Sequence, residues 1–168
     1  MPSFRTTRRV AHSAANMFEL VADVEQYPQF MPMCTGLDVR RRSTGPDGRE
    51  TVIADMSVGY KAIRETFTSR VTLDRAALHI LVEYVDGPFK HLENRWNFYD
   101  EDGAAQRSRV EFFIDYEFRS RMLGLLMGGL FDAAFRKFAA AFERRADLLH
   151  GKSRQAGAIS NQVDTGPR

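Results

Sequence analysis

The sequence holds a single cysteine, Cys34, among its 168 residues. No intramolecular disulfide can brace the chain, so its framework rests on packing, as suits a reducing compartment. Long apolar runs are also missing. The longest nearly uncharged stretch, Met122 to Phe131, is about half of the ~20 residues that a bilayer-spanning helix needs. The opening MPSFRTTRRV lacks the apolar centre of a secretory signal. No cleaved leader and no membrane-spanning helix are expected, and the location that follows is cytoplasmic or peripheral to the inner membrane. Charge of one sign is scarce too: 24 Lys and Arg against 22 Asp and Glu leave +2, too little to argue for nucleic acid by itself.

The usual signatures of catalysis are absent as well. His12, His79, His91 and His150 fall on different elements without metal-ligand spacing, and Cys34 has no cysteine partner, so no metal is expected. Gly124, Gly128 and Gly129 sit inside a helical pattern and lack the lysine and spacing of a phosphate loop, so no nucleotide cofactor follows. No Gly-x-Ser-x-Gly elbow occurs. These absences favour a binding protein over an enzyme.

What the chain does have is apolar patterning, with 43% hydrophobic residues and 13 Phe. Phe4 to Val10 alternates as a strand. Ser13 is placed to cap a helix over Ala14 to Tyr27, which Pro28 ends or breaks into a second short helical turn near Pro32. From Leu37 the pattern changes to period two for about eighty residues, the pattern of an antiparallel meander. Turns are expected at Gly45–Gly48, Tyr60–Ala62, Asp74–Ala76, Asp86–Pro88 and Asp100–Gly103. The apolar faces read Val52, Ala54, Met56, Val58; Phe67, Val71, Leu73; Leu78, Ile80, Val82; Leu92, Trp96, Phe98; and Val110, Phe112, Ile114, Phe118. After a cap at Ser120, a long helix runs to about Leu149. The polar remainder, 151–168, reads as a disordered tail, leaving one domain over 1–150.

A strand, two short helices, six consecutive strands and a long helix make an α+β domain with helices on one face of one sheet of about seven strands. Such a sheet curves, and a helix about 10 Å wide cannot fill the trough. The remaining space falls to large side chains, to the short helices or to a ligand. Candidates to line it are Phe18, Phe30, Met33, Met56, Val58, Phe67, Val82, Trp96, Phe98, Phe112, Met127, Leu130 and Phe131, each of which could equally be plain core. By strand parity Glu65 and Asn94 also face inward. For a ligand whose polar atoms only accept hydrogen bonds, Asn94, Tyr60, Tyr84, Tyr116 or a protonated Glu65 are the donors available. In the long helix, Leu123, Leu125, Leu126, Met127, Leu130 and Phe131 cannot all face one sheet. The outward ones form a membrane-facing flap near Arg119 and Arg121, a dimer interface or a contact with the short helices.

The stretch Tyr27-Pro28-Gln29-Phe30-Met31-Pro32-Met33-Cys34 resembles the Tyr-x-x-Phe-x-Pro-Trp-Cys motif of coenzyme Q-binding START-domain proteins, with Met33 standing where that family usually has Trp. Asp86-Gly87-Pro88-Phe89-Lys90-x-Leu92 with Trp96-x-Phe98, and Val110-x-Phe112, Tyr116-x-Phe118 and Ala141-Phe142-Glu143-x-Arg145-Ala146, are similar to its second and third signatures. The resemblance spans residues 2 to about 149. It implies a helix-grip fold, no catalysis, no cofactor, and a bound ubiquinone or quinone precursor serving respiration and quinone biosynthesis. The family is polyketide cyclase/dehydrase-like, and the same motifs are shared by the ribosome association toxin family. The alternative reading is therefore a ribosome-binding protein that blocks subunit association, for which Arg8, Arg9, Arg40, Arg41 and Arg42 would form a phosphate-binding patch if their strands are neighbours.

Overall fold

The computed structural model describes residues 3–60, 62–101 and 106–160, the stretch 152–160 as backbone only. Its order is β1 (Ser3–Val10), α1 (Ala14–Ala22), a 3-10 helix (Val24–Gln29), β2 (Cys34–Thr44), β3 (Glu50–Tyr60), β4 (Ile63–Asp74), β5 (His79–Asp86), β6 (Phe89–Asp100), β7 (Ser108–Phe118) and α2 (Arg121–Ser160). The strands form one antiparallel sheet in the order β1-β7-β6-β5-β4-β3-β2. Six consecutive strands pair with their sequence neighbours, and β1 closes the far side against β7. The α+β arrangement, the seven strands and the gripping helix are those expected from the sequence.

Ser13 and Ser120 both cap as expected, accepting from the backbone N–H of Asn16 at 3.1 Å and of Leu123 at 3.2 Å. The first helix is shorter than its pattern. It stops at Ala22, five residues before Tyr27, where Asp23 leaves helical backbone at ψ 70°, and the rest of the pattern, with Pro28 inside it, winds as the 3-10 helix. The Tyr27 hydroxyl donates to the Val21 carbonyl, occupying an acceptor left free where the helix ends. Leu78, expected on the inward face of β5, is a turn residue with φ 51°, and its carbonyl accepts from Phe98 N–H at 3.1 Å. At the other end, the backbone of α2 continues through 151–160, past the Leu149 limit of the apolar pattern; no proline interrupts it there. The expected turns at Tyr60–Ala62 and Asp100–Gly103 lie partly outside the described residues, as do 161–168 of the tail.

Gly87 turns β5 into β6 with φ 139°, and a Cβ there would stand 2.9 Å from Phe67 Cα. Only glycine lets this turn lie so closely on β4. The turn delivers Phe89, fully buried, into the middle of a ring cluster: Phe118 at 4.8 Å, Phe67 at 5.3 Å, Tyr84 at 5.8 Å and Phe131 at 6.0 Å between centroids. A second cluster holds the other half of α2. Phe142, 1% exposed, meets Phe30 at 5.2 Å, Trp96 at 5.2 Å and Tyr27 at 5.4 Å. Around it, Arg145 donates to Gln29 Oε1 at 2.9 Å and stacks over Phe30, and Glu143 pairs with Arg8. The first and third motifs thus meet each other across the fold, and together they clamp α2 over the sheet.

Candidate ligand cavity

Between the two ring clusters α2 rests on β7, where Phe135 meets Tyr116 at 5.3 Å and Phe138 meets Phe112 at 6.5 Å between centroids, but it does not fill the rest of the concave face. This leaves a cavity of about 100 Å³. Its sheet wall is Ala54, Met56 and Val58 of β3, Phe67, Ser69 and Val71 of β4, and Ile80 and Val82 of β5, continuing with Leu92, Asn94 and Trp96 of β6 and Phe112 and Ile114 of β7. Leu37 closes the β2 edge, Val24, Tyr27 and Met31 close the end under α1, and Phe131, Phe135 and Phe138 of α2 form the roof. The wall is apolar apart from Ser69, Asn94 and the Tyr27 hydroxyl. Burial keeps that hydroxyl protonated, pushing its pKa far above the usual tyrosine value, with the charges of Cys34 and Asp23 adding to the effect.

Of the fourteen residues expected to line a site, Met56, Val58, Phe67, Val82, Asn94, Trp96, Phe112 and Phe131 border the cavity. The other six do not. Phe18 and Phe98 pack edge to face at 5.7 Å, beneath α1. Phe30 belongs to the α2 clamp. Met33 adopts φ 68°, a left-handed backbone that carries its carbonyl to Gly59 N–H at 2.9 Å, and its side chain packs on the core away from the void. Met127 is fully buried and Leu130 partly so, both outside the lining. Glu65 stands opposite Val58 near the turn that joins β3 to β4, half-buried and off the wall. Tyr60 is exposed, and the Tyr84 hydroxyl is buried without a partner among the described residues. Tyr116 lies outside the lining, its pKa raised by burial and by nearby Asp132.

Twelve further residues line the cavity, and most carry a signal in the sequence. Ala54, Val71, Ile80, Leu92 and Ile114 share the inward parity of nominated neighbours. Phe131, Phe135, Phe138 and Phe142 repeat at helical spacings of four, three and four, which aligns them along one side of α2. Ser69, between inward Phe67 and Val71, was findable only by trusting parity over polarity.

The arginine clusters do not combine. β1, which carries Arg8 and Arg9, and β2, which carries Arg40 to Arg42, form opposite edges of the sheet. Arg9 pairs with Glu101 at 2.9 Å, Arg40 with Asp55 at 2.5 Å and Arg42 with Glu25 at 2.7 Å. Outward on α2, Met122, Leu125 and Leu126 are 72%, 87% and 59% exposed, whereas Met127 and Phe131 face in. No helix among the described residues is long and apolar enough to cross a membrane. No three His, Cys, Asp or Glu side chains among them gather as a metal site requires.

A family profile described as polyketide cyclase / dehydrase and lipid transport matches residues 10–143. The ribosome association toxin RatA of Escherichia coli is 36% identical over 150 residues, 89% of this chain and 90% of its own length. The mitochondrial coenzyme Q-binding protein coq10 of Schizosaccharomyces pombe is 27% identical over 148 residues, 88% of each chain. Among solved structures, a START superfamily protein from Mycobacterium smegmatis superposes with a TM-score of 0.72 at 23% identity, covering 88% of this chain and 98% of that one. Both relatives are named as a toxin or a binding protein rather than as enzymes. The extent of the profile match and the identity to RatA along nearly the whole chain make this protein a member of the polyketide cyclase/dehydrase and lipid transport family, built on a START-like fold.

Proposed function

We propose that the protein is a non-catalytic binder of a ubiquinone-type lipid, serving quinone biosynthesis and respiration at the cytoplasmic side of a membrane. The observation that carries this reading is the void itself. Cores normally pack without gaps larger than a water molecule, yet here an apolar, aromatic-walled space persists between sheet and helix. Its about 100 Å³ is below the roughly 150 Å³ that accepts one benzene-sized ring. A quinone ring therefore enters only as the roof yields, and Met31 and Met56, with pliable thioether chains, give the wall somewhere to move. The prenyl tail leaves along α2. There Met122, Leu125 and Leu126 present an apolar surface beside Arg119 and Arg121, a pairing suited to an anionic bilayer in which the lipid resides.

Organic extraction of the purified full chain followed by mass spectrometry tests the cargo. Ubiquinone or a prenylated precursor is expected in the extract. Absence of any lipid, together with no saturable quenching of the lone tryptophan, Trp96, by a short-tail ubiquinone, would overturn the reading. Liposome flotation tests the surface: Leu126→Asp is expected to abolish association with anionic vesicles.

A second reading, ribosome association, is favoured by the 36% identity to RatA. Its electrostatic support is weak, since the arginines lie on opposite sheet edges and most are paired. Sedimentation with large ribosomal subunits at low and high salt separates the two; comigration that survives high salt would favour the ribosome.

A further inference from the structure

The lone indole N–H of the chain can only donate, and Trp96 Nε1 lies 2.8 Å from the Asn94 side chain, so the Asn94 atom facing it is the carbonyl oxygen. The amide nitrogen then faces the Phe113 carbonyl, also at 2.8 Å. This fixes the orientation of an otherwise ambiguous side chain. One of its two amide hydrogens is satisfied by Phe113, the acceptor oxygen is satisfied by Trp96, and the second amide hydrogen has no partner among the described residues. Asn94 is 8% exposed and borders the cavity.

Ser69 is the other polar group on the sheet wall of the cavity, 6% exposed, and its hydroxyl makes no hydrogen bond to a described residue. It sits at a β-bulge: Thr68 pairs with Asp86 and Ser69 with Tyr84, so Val85 is skipped. The extra residue, Val85, belongs to β5, so Ser69 keeps the inward parity of Phe67 and Val71, and bulges recur beside binding sites. Val71, Val82 and Asn94 lie in register across β4, β5 and β6, which places Ser69 two strands and two residues from Asn94 on the same concave face.

We infer that Asn94 and Ser69 form a two-point clamp for a ring bearing hydrogen-bond-accepting oxygens on opposite sides, the 1,4-quinone arrangement. Ordinary sheet spacings put their Cα atoms about 12 Å apart. With about 3 Å taken by each hydrogen bond, about 6 Å remains between the accepting atoms, enough for a six-membered ring with an oxygen at each end and too wide for a single carbonyl to bridge. Asn94 acts there as a pure donor, since its own acceptor is occupied by Trp96. The clamp orients the ring across β5, over Val82, and directs a tail on the ring towards the α2 roof. This inference rests on the lipid-binding reading and narrows its headgroup.

The test compares two probes on the full chain: a short-tail ubiquinone, and a benzene ring carrying the same tail and no oxygens. Each is measured by displacement of an apolar fluorescent dye, and the quantity read is the ratio of their affinities. Partial unfolding of a variant affects both probes alike and leaves that ratio unchanged. The wild-type chain is expected to prefer the quinone. The preference falls about fivefold in Ser69→Ala, the worth of one neutral hydrogen bond, and at least as far in Asn94→Leu. Equal affinity for the two probes in the wild type, or a ratio unchanged in both variants, overturns the clamp while leaving lipid binding intact. Failure of the wild type to bind either probe overturns the binding reading and the clamp with it.

Discussion

Filling the void tests whether it is a site or a flaw. Ala54 lines it from β3 and is 2% exposed, so Ala54→Leu projects new carbon into the empty space. Two routes give the gain. A void of about 100 Å³ at about 24 cal/mol per Å³ forfeits about 2.4 kcal/mol. Three added carbon groups at about 0.8 kcal/mol each reach the same figure. Fit is never perfect, and crowding against Met56, Phe67 or the α2 rings takes back about 1 kcal/mol. The net expectation is stabilisation of about 1–1.5 kcal/mol, which for a chain of this length raises Tm by about 2–6 °C. Affinity for a short-tail ubiquinone, followed by Trp96 quenching, falls at least about tenfold because the ring and the leucine compete for one space. A variant that is less stable and binds as well as the wild type would refute the reasoning on both counts, placing the void elsewhere or the ligand outside it.

Gly87→Ala is expected to destabilise by about 2–4 kcal/mol, because its Cβ would meet Phe67 Cα at 2.9 Å and Thr66 O at 3.1 Å; Gly48→Ala, at φ 83° with open space around it, loses less in the same urea titration. Burial pushes the Cys34 thiol up to about 11, so alkylation at pH 8 proceeds through a thiolate population of about 0.1% and accelerates about a hundredfold or more in denaturant; rapid native labelling would contradict this. The Thr68 hydroxyl, and after it Arg40, hold the Asp55 carboxyl below its usual 3.8 in the folded state. The folded chain then binds fewer protons than the unfolded one. This contribution is complete above the ordinary carboxylate range and is lost as pH falls through the depressed value, so the stability gap between wild type and Asp55→Asn should close on acidification.

The fold was legible because its two periods are clean. Period-two alternation from Val52 to Phe118 named the wet and dry faces, and register slips were few enough that parity held along each strand, with Ser69 inward between Phe67 and Val71 beside the bulge at Val85. The misreadings are local and share a cause: the sequence shows which residues avoid water but not which neighbour covers them. Phe18 and Phe98 satisfy each other beneath α1, and Phe30 satisfies Phe142, so none is left to line a cavity. Leu78 lost its strand to a turn conformation that no alternation pattern reveals. Arg8 and Arg42 would join in one patch only on neighbouring strands, and the strand order sets them at opposite edges. Apolarity is a property of one residue, whereas a cavity is a property of the sets around it.

That distinction bears on the two relatives, whose names point to different partners. Many residues of the motifs through which the chain resembles the coenzyme Q-binding family are engaged in architecture: Tyr27 with Val21, Arg145 with Phe30 and Gln29, Gly87 with Phe67, Phe142 with Trp96; Tyr27, Met31, Leu92, Trp96 and Phe112 border the void as well. A protein that keeps those residues keeps the clamp on α2 and with it the trough. On the lipid-binding reading, its cargo is set by the positions that face the void. Ser69, Asn94 and Val82 are such positions. Identity summed over the chain weighs the clamp and the void alike, so 36% to a ribosome association toxin and 27% to a quinone binder do not rank the two functions. Substitution of the wall residues ranks them: if lipid is the cargo, ribosome sedimentation is indifferent to Ser69→Ala and Asn94→Leu while quinone affinity falls, and if the ribosome is the partner, both variants leave the protein's activity intact.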